Sequence, residues 1–188
     1  MEKMTKSANR MQTLLVDIMK YTQIKYAQDA FEKVNLNDVM TEILIDMEER
    51  INDKQVVIHF EILPEVIAIP FLMKQLFSNI ILNAVKYASA ERSPVITITT
   101  SVTSEKIPHL NYDFYHTVVF SDNGIGFEQE YAESIFKIFT RLHGQSEYNG
   151  SGVGLALCKK IMQTSNGFIT AKGIPGKGAS FTLHFPVI

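Results

Sequence analysis

Apolar positions change their spacing several times along the 188 residues, and each change marks an element. From residue 5 to residue 28, Ala8, Met11, Leu15 and Ile18 recur at alternating steps of three and four, with Leu14 and Tyr21 widening the stripe. That spacing predicts one amphipathic helix, with Ser7 or Asn9 placed to cap it. Such a stripe needs either another helix or the body of its own domain to cover it. Residues 31–35 read as a short strand. A helix over about 36–52 follows, with Val39, Ile43, Met47 and Ile51 on one face and Asn35 or Asn37 as its cap. Strands are expected at 56–60 and 66–69, with Leu63-Pro64 turning between them, and at 94–100 and 116–120. Residues 70–88 predict a second long helix, whose first turn suits Pro70. A short helix over 131–138, a helix starting at Gly154, and strands 168–171 and 180–185 in a hairpin complete the pattern.

Two places break this pattern in ways that ask for chemistry. On the 70–88 helix, Gln75, Asn79 and Asn83 recur every four residues on one face, and Lys86 and Tyr87 extend it by a turn. The other positions are mostly apolar. An unsatisfied buried amide costs about 1–3 kcal/mol, so the stripe faces either water or a ligand. The second place runs from Asp122 to Leu155. Val118-Val119-Phe120 delivers Asp122-Asn123-Gly124-Ile125-Gly126-Phe127 to a strand end, and Gly150-Ser151-Gly152-Val153-Gly154-Leu155 opens a helix. His143, Gly144 and Gln145 lie in the polar segment between. Glycines allow close backbone approach and positive φ, and a helix start attracts phosphate through its free N–H groups and dipole. A carboxylate at Asp122 can accept the exocyclic amine of adenine, a bond worth about 1.5–3 kcal/mol. Asp-Asn-Gly alone is a common turn. Both glycine clusters together, with a helix following, point to a nucleotide. Gly176-Lys177 continues with Gly178, which excludes a P-loop, and Gly150-x-Gly152-x-Gly154 lacks the dinucleotide spacing.

With these motifs in order, the chain resembles the ATP-binding domain of sensor histidine kinases, within the gyrase, chaperone, histidine-kinase and mismatch-repair ATPase superfamily. Residues 122–126 look like its first glycine box and Gly150 to Leu155 like the second. Ile135-Phe136-Lys137-Ile138-Phe139-Thr140-Arg141 looks like the phenylalanine box, Gly176-Lys177-Gly178-Ala179-Ser180-Phe181 like the closing glycine motif, and the 70–88 helix like the asparagine box. The resemblance implies an α+β fold: a two-layer sandwich of a mixed β-sheet and helices that binds ATP under a lid over about 141–149, preceded by one amphipathic helix. It implies ATP and Mg²⁺ as cofactors. Asn83 would ligate the metal, with Lys86 balancing phosphate charge as its catalytic companion. Asn79, Tyr87, Asp122, Gly124, Gly126, Phe139, Arg141, Gly150, Gly152, Val153, Gly154, Leu155 and Ser180 would complete the nucleotide site. Arg141 equally suits a solvated surface, and Ser180 a plain strand surface. Hydrolytic relatives carry a glutamate four residues before the metal asparagine. Here that position is Asn79, which cannot act as a base, and this favours a kinase over a hydrolase.

The stretch Arg10 to Asp17 also resembles the second helix of the dimerisation and phosphotransfer hairpin of these kinases. The expected division is therefore a partial hairpin helix over 1–30 and an ATP-binding domain over 31–188. In the family, the phosphoacceptor histidine precedes an acidic residue on the first helix. His59, His109, His116, His143 and His184 all lack that context, so the acceptor is expected on a helix absent from this chain. The implied function is transfer of the ATP γ-phosphoryl to that histidine, for relay to a response regulator receiver domain, in a protein that forms a homodimer through the N-terminal helix. Two rivals stay open: an anti-sigma-type serine kinase and a non-catalytic module with a vestigial ATP site.

Composition narrows the picture modestly. A hydrophobic share of 46% supports a packed core, and a net charge of −2 with interspersed signs gives no case for nucleic acid or an anionic membrane surface. The single cysteine, Cys158, excludes an internal disulfide and reads as a small buried apolar residue. With no long apolar run or signal peptide, this stretch is expected to be cytoplasmic and without membrane contact.

Overall fold

The computed structural model describes residues 12, 14–16, 18, 19, 22, 31–104, 112–142 and 151–187. In chain order its elements are β1 (Glu32–Asn35), α1 (Leu36–Asp46), α2 (Glu48–Asp53), β2 (Val57–Phe60), β3 (Glu65–Ala68), α3 (Pro70–Lys86), β4 (Val95–Ser104), β5 (Phe114–Asp122), α4 (Gly154–Thr164), β6 (Phe168–Ile174) and β7 (Gly178–Pro186).

Asn35 caps α1 as its side-chain oxygen accepts the Asn37 N–H at 2.9 Å. The helix expected over 36–52 is in fact two. At Met47 the backbone leaves helical geometry (φ −107°, ψ 6°), which keeps Met47 in the core while α2, with no buried residue, turns outward. Strands β2 and β3 do not pair with each other across the Leu63-Pro64 turn. The Asn37 amide donates to Leu63 O at 2.8 Å and accepts the Leu63 N–H at 2.9 Å, and the Leu36 N–H donates to Pro64 O. That bracket ties the turn to the start of α1 and steers β3 onto β1 as a separate antiparallel pair.

The main sheet has the order β2-β4-β5-β7-β6, with β2 parallel to β4 and every other pair antiparallel. Helices α3 and α4 pack together on one face. The other face carries exposed Thr97, Thr99, Ser101, Thr170 and Lys172. This is the α+β two-layer sandwich with a mixed sheet. Leu72, Met73, Leu76, Phe77, Ile80 and Ile81 of α3 are all buried, each contributing about 1.5–3 kcal/mol of apolar burial. Phe77 meets Phe120 of β5 edge-to-face at 4.8 Å, a geometry that adds about 0.5–1.5 kcal/mol. The short helix expected over 131–138 is replaced by two 3₁₀ turns, Gln129–Tyr131 and Ser134–Phe136. Phe136 is drawn against Phe181 at 6.5 Å, and Phe139, at φ +66°, cannot continue a right-handed helix.

Of the amphipathic stretch near the N-terminus, residues 12, 14–16, 18, 19 and 22 are helical, with Leu15, Val16, Ile18 and Met19 exposed. Ala8, Met11, Tyr21 and both candidate caps lie outside the described residues, as do 105–111 and most of the expected lid, 143–150. Among the described residues no helix is long and apolar enough to cross a membrane.

Candidate functional site

Strand β5 carries Asp122 to its end, where Oδ1 accepts the N–H groups of Gly124 at 2.8 Å and Ala179 at 3.2 Å. Burial pushes the Asp122 carboxyl above its usual range, while those two donors and the Arg92 guanidinium pull it back. Both bonds use Oδ1, which leaves Oδ2 for a donor in the cleft that Asp122 lines. The loop that follows is joined to the end of α3, because the Ile125 N–H donates to Tyr87 O at 2.9 Å. Its glycines answer to the protein's own backbone. A methyl at Gly124 would run into Tyr87 O, and one at Gly126 (φ +66°) into Ile174 O.

The cleft has two chambers. One, of about 90 Å³, is largely apolar and runs from Asp122 past Phe127, Ile135, Leu142 and Phe181. The other, of about 220 Å³, is lined by Gln75, Asn79, Asn83 and Lys86 of α3 and by residues 151–155 at the start of α4. Asn83, Tyr87, Ile135, Thr140, Arg141 and Leu155 line both, so the chambers adjoin. A single water needs only about 10–15 Å³ of such space, so the polar chamber has room for a large anion. The polar stripe of α3 therefore faces a cavity and the N-terminus of a second helix, where free N–H groups favour negative charge.

Asn79 sits at the back of the polar chamber. Its Nδ2 is buried with no hydrogen-bond partner, and its Oδ1 is the nearest atom to where a Gly154 side chain would begin. The amide leans toward the Cys158 thiol and partly offsets the burial that pushes that thiol up to about 12. Cys158 is buried and stays protonated. Lys86 Nζ donates to the Tyr87 hydroxyl at 2.9 Å and lies 4.4 Å from its ring centre.

Of the sequence-expected site residues, Asn79, Asn83, Lys86, Tyr87, Asp122, Gly126, Arg141, Gly152, Val153, Gly154 and Leu155 come together around the cleft. Gly124 stands behind it. Phe139 lines neither chamber: the residue is 57% exposed, and its N–H donates to Gly152 O at 2.9 Å. Ser180 is on the far face of the sheet, because strand residues alternate and its neighbours Ala179 and Phe181 line the cleft. The Ser180 hydroxyl pairs with Ser121 of β5 at 3.0 Å. Gly150 lies outside the described residues. The structure adds Thr140, Ala179 and Phe181, which lie inside the quoted motifs without being singled out there, Leu142, just past them, and Gln75, already visible on the polar stripe.

Among the described residues no three His, Cys, Asp or Glu side chains cluster to hold a metal. The donors that α3 presents to the anion-sized chamber for a metal are neutral: the amides of Gln75, Asn79 and Asn83. That suits Mg²⁺, which keeps several waters and takes its remaining ligands from phosphates.

An apolar chamber beside a half-buried carboxylate, adjoining a polar chamber at a helix start, defines a nucleotide-binding α+β domain. Residues 68–188 match the family described as "Histidine kinase-, DNA gyrase B-, and HSP90-like ATPase", and the chain belongs to that family. It is 35% identical over 179 residues to "Phytochrome-like protein Cph1" of Synechocystis, a match spanning 94% of this chain and 22% of that protein. Among solved structures it is similar to the "Catalytic domain of histidine kinase ThkA", with a TM-score of 0.63 and 27% identity over 83% of this chain and 95% of that one. It shares its fold with histidine kinase ThkA in a crystal structure "in complex with response regulator protein TrrA" (TM-score 0.66, 23% identity, 97% of this chain and 48% of that one). The chain thus spans about a fifth of the length of the phytochrome-like relative.

Proposed function

We propose that this chain is the catalytic ATP-binding part of a two-component sensor histidine kinase. It transfers the ATP γ-phosphoryl to a histidine on another helix, outside residues 1–188, for relay to a response regulator. The observation that carries this reading is the pair of adjoining chambers, one lined by Asp122 and the other by the polar stripe of α3 and the start of α4, which share six lining residues. Adenine fits the apolar chamber with its amine on Asp122, and the triphosphate fits the polar one. In this reading Asn83 presents its amide oxygen to Mg²⁺, which when bound neutralises triphosphate charge. Lys86 swings from Tyr87 to phosphate. The N–H groups at 152–155 hold the phosphate chain in line, and Asn79 supplies an amide that cannot activate water. Phosphoryl transfer is mostly positioning and charge stabilisation, so this set is chemically sufficient.

The family, and a likeness to the ThkA catalytic domain, support ATP as ligand. The response regulator as partner is supported by the fold shared with ThkA in its complex with TrrA. Residues 1–30 act as the dimerisation helix and 31–188 as the ATP-binding domain, a division supported by the exposed Leu15 and Met19. The domain works in the cytoplasm. The test is calorimetric titration with a non-hydrolysable ATP analogue, with and without Mg²⁺, followed by a phosphotransfer assay with a histidine-bearing helical hairpin supplied in trans. Mg²⁺-dependent binding and an acid-labile phosphate on the hairpin are expected. A folded sample that binds no nucleotide would overturn the reading in favour of an interaction module.

A further inference from the structure

The wall behind Asp122 is built from two backbone turns, residues 122–126 and residues 174–178 between β6 and β7. They meet closely. The Gly176 N–H donates to Ile125 O at 2.7 Å, Gly126 abuts Ile174, and Gly178 abuts Asp122. Three carbonyls from these turns converge outside the cleft on one side chain, Arg92, in the segment between α3 and β4. Its Nε donates to Asn123 O at 2.6 Å, and its Nη2 to Gly124 O at 2.8 Å and Gly176 O at 2.7 Å. Arg92 lines neither chamber. A planar guanidinium can serve three fixed acceptors at once, which a lysine ammonium on a flexible stem cannot reproduce.

The two turns that Arg92 joins are also the source of both donors that orient Asp122. Gly124 supplies one N–H to Oδ1, and Ala179, just beyond the second turn, supplies the other. We propose that Arg92 is a positioning residue for base recognition, holding the two turns in register so that the Asp122 carboxylate meets the adenine amine. Its positive charge acts in the same direction by countering the effect of burial on that carboxyl. Among the described residues, the cations that line the chambers are Lys86, in the polar one, and Arg141, in both.

This inference rests on the adenine-nucleotide reading, and its test separates the two. The wild-type chain, Arg92→Met and Arg92→Lys are titrated with non-hydrolysable analogues of ATP and of GTP, and thermal unfolding is recorded in parallel. Arg92→Met should lose affinity for the ATP analogue by roughly tenfold, the scale of one hydrogen bond to a charged acceptor, while its weak binding of the GTP analogue stays the same. Arg92→Lys should fall between. A purely structural latch would lower the melting temperature and scale both affinities alike or change neither, and either result overturns the proposal. If Arg92→Met does not fold, Arg92→Lys is judged by the same loss of adenine preference. A wild type without adenine preference sinks the nucleotide reading itself, and this inference with it.

Discussion

The two glycine segments of the cleft look alike in sequence and differ in what they do. In the first, Gly124 and Gly126 are pressed against carbonyls of Tyr87 and Ile174, so a side chain has nowhere to go. In the second, Gly154 is open: the nearest atom to its missing side chain is Asn79 Oδ1 at 4.0 Å. The first segment spends its glycines on packing two turns and an helix end together behind Asp122. The second is mixed: Gly152, at φ +75°, is pressed against the backbone of Phe139 and Thr140, and Gly154 keeps the mouth of α4 clear. Glycine therefore serves close packing at Gly124, Gly126 and Gly152 and empty space at Gly154.

Substitutions can break that distinction. The largest effect is expected at Gly126→Ala, where φ is +66° and the added methyl meets the backbone of Ile174 and Gly178. A loss of roughly 3 kcal/mol or more is expected in denaturant unfolding. An unchanged midpoint would show that the first segment yields easily, and the distinction would fail.

Next comes Asp122→Asn, which should weaken ATP binding by tenfold or more, following about 1.5–3 kcal/mol for the hydrogen bond to a charged acceptor. Its effect on stability runs the other way. Burial raises the carboxyl above the 3.8 of an unfolded chain. The stability tied to this group is complete below that value and is lost as pH rises through the folded one. The uncharged asparagine should thus melt higher than wild type at neutral pH, with the gap closing in acid. A variant that loses affinity and stability together would point to damage rather than to a missing base contact.

Asn83→Ala should remove the Mg²⁺ dependence of nucleotide binding while leaving some metal-free affinity, read by titration in the presence and absence of the ion. Equal Mg²⁺ dependence in the variant would move the metal elsewhere. The smallest effect is expected at Gly154→Ala. With 4.0 Å of clearance and a helical position, stability should stay level or rise by up to about 1 kcal/mol. A large loss there would make the second segment as packed as the first.

Much of this site is legible along the chain because its signals are local. Asn79 and Asn83 share a face by helical period alone, and Asp122 reaches a strand end because three apolar residues precede it. Ser180 is a position where the chain leaves two placements open, the pocket and the strand surface. It follows a glycine motif beside the cleft, yet strand alternation turns it to the far face, onto Ser121, and sends Ala179 and Phe181 inward. A one-residue difference in strand phase decides this, and composition carries no trace of it. Phe139 lines neither chamber, and its backbone N–H bonds to Gly152 O more than ten residues away.

By itself the sequence determined the helical periods, the polar stripe of α3 and the two glycine clusters, which rest on spacings of a few residues, while the α+β class followed from the family resemblance those motifs carry. Only the tertiary structure decided that β3 leaves β2 for β1, that the helix expected over 36–52 breaks at Met47, and that Arg92 ties together two turns, one of them 84 residues along the chain from it. These outcomes depend on which backbone groups find partners across the fold. Every buried N–H and carbonyl needs one, but the chain alone does not say which.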